Sequence, residues 1–70
     1  MKTIKKSEYH GDGILINLDT TFNPYTNLLV NHYKYLDKSK KYYFYCHGGT
    51  KSRKVTAVLE AYGYDVTQVR

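Results

Sequence analysis

The residues able to do chemistry gather in one stretch, Tyr42-Tyr43-Phe44-Tyr45-Cys46-His47-Gly48-Gly49-Thr50-Lys51-Ser52-Arg53, which contains the only cysteine of the chain. A thiol reacts as its thiolate, and negative charge is favoured where amide N–H groups and the positive end of a helix converge. The aromatic run Tyr42 to Tyr45 has strand propensity. Gly48-Gly49 lets backbone approach a ligand without side chains in the way, and an amphipathic helix follows. Cys46 is therefore the candidate nucleophile. His47, Gly48, Gly49, Thr50, Lys51, Ser52 and Arg53 form the candidate anion-binding loop around it.

Each of these residues also has a plainer reading. A lone cysteine is often just a small buried hydrophobe; the glycines, the helix start and the nearby Lys51 and Arg53 favour a reactive one. His47 reads as an exposed loop side chain, because a thiolate stabilised by backbone dipoles needs no imidazole. His10 and His32 have no acidic or cysteine neighbours at ligand spacing, so no metal site is expected, and no cofactor. The tyrosine run could stack on bases, but it leads straight into Cys46 and reads better as core strand. Phosphatase chemistry requires C-x5-R; the sixth residue after Cys46 is Ser52 and Arg53 comes one later.

The elements that must position this loop can be read on either side of it. Thr3 and Ile4 suggest at most a short edge strand, and His10-Gly11-Asp12-Gly13 a turn. Ile14 to Leu18 is an apolar run of strand length. Asn23-Pro24 supplies a helix cap and first position, and Leu28, Leu29, Tyr33 and Leu36 recur with helical spacing. This predicts a helix from Pro24 to about Leu36 with His32 and Lys34 outward. Asp37 to Lys41 connects to the strand Tyr42 to Cys46. Val55, Val58, Leu59 and Tyr62 predict a second helix, with Ala57 and Ala61 against a sheet and Gly63 ending it. Tyr64 to Val69 closes as a strand on Val66 and Val69. Strand and helix alternate, so the chain reads as one α/β domain, residues 1–70, with a mainly parallel sheet of three to four strands flanked by helices. Ligands bind beyond the carboxyl ends of strands in such sheets, where Cys46 falls.

Composition bounds the rest. A chain of 70 residues buries only about 60% of its unfolded surface, and one cysteine provides no internal disulfide. The net charge of +5 invites a nucleic-acid reading, but Lys38-Ser39-Lys40-Lys41 reads as a solvated loop, and nucleic acid is not the expected partner. Lys51, Arg53 and Lys54 are different: cations in the first turn of a helix oppose its dipole unless an anion compensates. The apolar runs are too short for a membrane span. Lys2, Lys5 and Lys6 are followed by Glu8, Tyr9 and His10 rather than an apolar segment, so an unexported, cytoplasmic protein is expected, without membrane partners.

Cys46-His47-Gly48-Gly49-Thr50-Lys51-Ser52 fits C-x-x-G-x-[RK]-S, and Ala57, Leu59, Gly63, Tyr64 and Val66 continue it as A-x-L-x-x-x-G-Y-x-V. This resembles the active-site loop and following helix of rhodanese-like domains, a family of single-domain sulfurtransferases. Upstream, Asn23-Pro24-Tyr25, Leu28-Leu29 and Lys34-Tyr35-Leu36 are similar to the segment preceding that family's catalytic strand. The resemblance spans residues 14 to 69 and is most specific over 42 to 66. It implies a small rhodanese-like three-layer fold, shortened relative to the family. It implies a thiosulfate sulfurtransferase or persulfide carrier in which Cys46 takes up a sulfane sulfur, and a loop, His47 to Ser52, whose amides cradle an anion. The implied partners are a small sulfur-containing anion and a thiol, persulfide or cyanide acceptor.

The chain departs from the family in three places. Asn17-Leu18-Asp19 stands where the family has Asp-x-Arg, so no role passes to Asp19. The His-Ile-x-Gly-Ala segment is missing. The family continues beyond the position of Arg70 into a last helix, so a sheet face is expected to be uncovered; either a partner covers it, as in a homodimer, or the protein is only marginally stable. A catalytically degenerate rhodanese-like binding module is the alternative these departures leave open.

Overall fold

The computed structural model describes residues 1–22 and 24–70. Four strands form one sheet: β1 (Lys2–Ile4), β2 (Ile14–Asn17), β3 (Lys41–Tyr45) and β4 (Asp65–Val69). Helix α1 (Thr26–Tyr35) links β2 to β3, and α2 (Thr50–Ala61) links β3 to β4. The spatial order is β1-β4-β3-β2 and every pairing is parallel. The fold is thus the α/β arrangement expected, with the Cys46 strand inside the sheet and the short N-terminal strand at one edge.

The order decides which face each connection covers. The steps β2 to β3 and β3 to β4 run the same way across the sheet, so right-handed crossovers put both helices on one face. Side chains follow suit: Tyr42, Phe44, Cys46 and Val66 pack with Leu28, Val55 and Leu59 in one core. The step from β1 to β2 runs back the other way, and residues 5–13 cross the opposite face. There a turn of 3-10 helix (Lys6–Glu8) leads to Tyr9, whose ring packs edge-on against Tyr43 with centroids 4.9 Å apart. The third layer is no more than this strap, and Leu15 on the edge strand stays substantially exposed.

The strap is pinned at Asp12-Gly13. The Asp12 carboxylate accepts from Tyr43 Oη at 2.7 Å and Lys41 Nζ at 2.9 Å, and Tyr9 Oη donates to the Gly13 carbonyl at 2.7 Å. A Cβ on residue 13 would lie 2.8 Å from the Lys41 carbonyl, so only glycine lets the strap lie this close to β3. The Lys41 bond is the largest of the influences that pull the Asp12 pKa down to about 2.

Both helices differ in detail from the sequence expectation. Helix α1 begins at Thr26, not Pro24, and the expected cap Asn23 lies outside the described residues. Leu28 and Leu36 are buried as expected, but Tyr33 is 65% exposed and His32, expected to face outward, is half-buried. The reason is local: Asn31 takes φ −113°, ψ 27°, which breaks the helical phase just before His32. The imidazole Nδ1 then lies 2.7 Å from Tyr64 Oη, with the Tyr62 ring centroid at 4.6 Å.

In α2 the buried stripe is Ser52, Val55, Thr56 and Leu59, whereas Ala57, Ala61 and Tyr62 face solvent. The period is right, but the phase is set by two polar residues that hydropathy does not place inside. Gly63 ends the helix as expected, at φ +94°. Its N–H reaches the Glu60 carbonyl at 3.0 Å, and the Tyr64 N–H reaches Leu59 at 3.1 Å. These two bonds satisfy carbonyls that the helix end would otherwise leave open.

Candidate active site

Strand β3 carries Cys46 just past its carboxyl end, and the loop that follows folds back over the sulfur. Gly49, at φ +79°, turns the chain into α2; its carbonyl accepts the first helical hydrogen bond, from Arg53 N–H at 3.1 Å. That left-handed conformation is one that a side chain would oppose. The turn brings Ser52 above Cys46. Ser52 N–H donates to Cys46 Sγ at 3.2 Å, and Ser52 Oγ lies 3.5 Å from the same sulfur.

The electrostatics follow from these contacts. Cys46 is 3% exposed, and burial by itself pushes a thiol pKa up. The Ser52 hydroxyl and the backbone N–H groups of Ser52, Gly49 and Lys51 act together in the opposite direction and hold the thiol below its ordinary value. These amides belong to the first turn of α2, where they lack helical partners and point toward negative charge.

A second layer fixes the donors. Gln68 Nε2, from β4, donates to the Gly49 carbonyl at 3.1 Å and to Ser52 Oγ at 3.2 Å. Ser52 Oγ also donates to the Gly49 carbonyl at 3.2 Å. The Gly49 carbonyl therefore has two donors besides the helical one. When Cys46 is a thiol, its S–H can donate to Ser52 Oγ. When it is a thiolate, the Ser52 hydroxyl can turn to the sulfur, and Gln68 keeps the carbonyl satisfied.

The outer wall comes from the end of β2. Leu18 N–H continues the ladder to the Tyr45 carbonyl at 2.8 Å, and the Asn17 side chain accepts from Asp19 N–H at 3.0 Å. This turn sets the Asp19 carboxylate against the loop, where it accepts from His47 N–H at 2.7 Å and from Lys51 Nζ at 3.1 Å. The His47 amide first, and Lys51 second, lower the Asp19 pKa. Asp19 is thus the internal anion that offsets one of the cations in the first turn of α2.

No family model, curated protein or solved structure matches the chain.

Of the loop residues picked from sequence, Cys46, Gly49, Lys51 and Ser52 converge at the sulfur. His47 contributes its backbone, while its side chain is exposed. Gly48 faces open space, since a Cβ added there would meet nothing within 4 Å. Thr50 and Arg53 line a cavity of about 440 Å³ beside the loop, together with Gly49 and Gln68. Two residues that bond the loop escaped the sequence reading. Asp19 stands at the carboxyl end of the neighbouring strand, a position that strand topology alone flags. Gln68 is a polar residue among valines in a strand, and a buried glutamine there had to be bonding something.

Proposed function

We propose that the chain is a rhodanese-like sulfurtransferase or persulfide carrier that works through Cys46. The observation that carries this reading is the convergence of Ser52 N–H, at 3.2 Å, with the amides of Gly49 and Lys51 on one sulfur at a strand end. The motif C-x-x-G-x-[RK]-S supports it from the sequence side. The Cys46 thiolate attacks the outer sulfur of thiosulfate, an S–S bond forms to Sγ, and sulfite leaves with the electron pair of the broken S–S bond. The persulfide carries the negative charge on its outer sulfur, and the loop amides are the donors available to hold it. Cyanide, or a thiolate acceptor, then attacks that outer sulfur and releases the Cys46 thiolate. Covalent transfer splits the reaction into two steps and implies ping-pong kinetics. Lys51 adds positive charge without the two-pronged geometry of arginine.

The burial of Cys46 favours a second reading, in which the same loop serves a binding module with an unreactive thiol. Intact mass after incubation with thiosulfate separates the two. Sulfur transfer predicts a gain of one sulfur, lost on adding cyanide and absent in Cys46→Ala. No adduct with thiosulfate or with any other sulfane donor would leave only the binding module.

A further inference from the structure

The chain contains two arginines, Arg53 and Arg70, and nine lysines. Both arginines line the cavity beside the Cys46 loop, and none of the lysines does. The cavity exists because two helices cover four strands. Helix α2 packs over β3 and β4, so β1 at the sheet edge has no helix above its helix-side face. Thr3 and Gln68 pair in register on that face and are joined by a hydrogen bond of 3.4 Å. They form the floor, with Arg70 two residues beyond Gln68 and so on the same side. Thr50 and Arg53 of α2 form the wall.

The ammonium of Met1, which also lines the cavity, is paired with Glu60 Oε1 at 3.6 Å, but the two guanidinium groups have no such partner among the described residues. Lys2, Lys41 and Lys51 each have a carboxylate partner, Asp65, Asp12 and Asp19 respectively. Neither guanidinium has one among the described residues, and no Asp or Glu lines the cavity. Two like charges converging on one cavity repel each other, and an anion between them removes that cost. Guanidinium forks match carboxylate and phosphate oxygens two at a time. The volume, about 440 Å³, falls in the range of small-molecule sites, roughly 300–1,000 Å³.

We propose that this cavity is a binding site for a small polyanion, carrying two carboxylates or a phosphate, held between Arg53 and Arg70. The site shares the glycine loop with Cys46 but does not depend on sulfur transfer. Titration of the 15N-labelled protein with pyrophosphate and, separately, with succinate at low salt tests it. At least one probe saturates a single site, with shifts centred on Thr3, Thr50 and Gln68. Arg53→Gln and Arg70→Gln each weaken that binding by about tenfold or more, whereas Lys40→Gln, in an exposed loop, leaves it unchanged. The tighter probe tells phosphate from dicarboxylate recognition. Cys46→Ala binds as the parent does, so the outcome is independent of the thiol chemistry. The proposal is overturned if neither probe saturates, if both arginine variants bind within about twofold of the parent, or if Lys40→Gln weakens binding as much as they do.

Discussion

At the scale of single residues the site depends on where one hydroxyl points. Ser52 Oγ is 3.2 Å from the Gly49 carbonyl and 3.5 Å from Cys46 Sγ. When it turns to the thiolate, Gln68 and the Arg53 N–H continue to donate to that carbonyl. Gln68→Leu removes the second donor and ties the hydroxyl to Gly49. The Cys46 thiol pKa then rises, read as a shift of the alkylation profile to higher pH. The fold should lose about 1–2 kcal/mol, read from urea denaturation, because a buried carbonyl and hydroxyl each lose a partner. An unchanged alkylation profile would remove Gln68 from the account. The sequence reading placed Cys46 beside the amides of the loop that follows it, and the structure brings Ser52 N–H to the sulfur, because these residues are local in the chain. Gln68 and Asp19 are 22 and 27 residues from Cys46 along the chain, and only the parallel pairing of β2, β3 and β4 brings them to it.

At the scale of elements, the helical and strand periods were readable and Leu28, Leu36, Val55 and Leu59 are buried as expected, but the full buried stripes were not legible. Ser52 and Thr56 occupy the buried stripe of α2 in place of Ala57 and Tyr62. Ser52 is inside for the sulfur. Thr56 is inside with no hydrogen-bond partner for its Oγ1 among the described residues, and a buried hydroxyl without a partner destabilises. Thr56→Val keeps the shape and removes the orphan group. It should raise the unfolding free energy by about 1 kcal/mol, with the alkylation behaviour of Cys46 unchanged; a loss of stability would show that Thr56 has a partner after all. In α1 the phase error has another origin, the non-helical Asn31, which no hydrophobic pattern announces. Gly63 was legible because its requirement is a single backbone angle.

For the molecule as a whole, a small core is supplemented by tethers that depend on carboxylates. Asp12 holds the strap to β3, Asp19 holds the loop to β2, and Asp37 accepts from Ser39. All three have lowered pKa values. A carboxylate whose folded pKa is depressed adds stability that is complete above its unfolded pKa and is lost as pH falls through the folded value. For Asp12 that window runs from 3.8 down to about 2. The urea midpoint should therefore fall steadily across it, and Asp12→Asn should start lower at neutral pH and fall less. The parallel pairing followed from the alternation of strands and helices; the strand order and the strap did not, since residues 5–13 carry no periodic pattern. No helix among the described residues is long and apolar enough to cross a membrane. The loop and its tethers converge on one property, a Cys46 thiol held below its ordinary pKa. The rate of Cys46 alkylation by iodoacetamide as a function of pH tests it most directly. The account predicts a midpoint below the free-cysteine value of about 8.5. A midpoint at or above that value would contradict it.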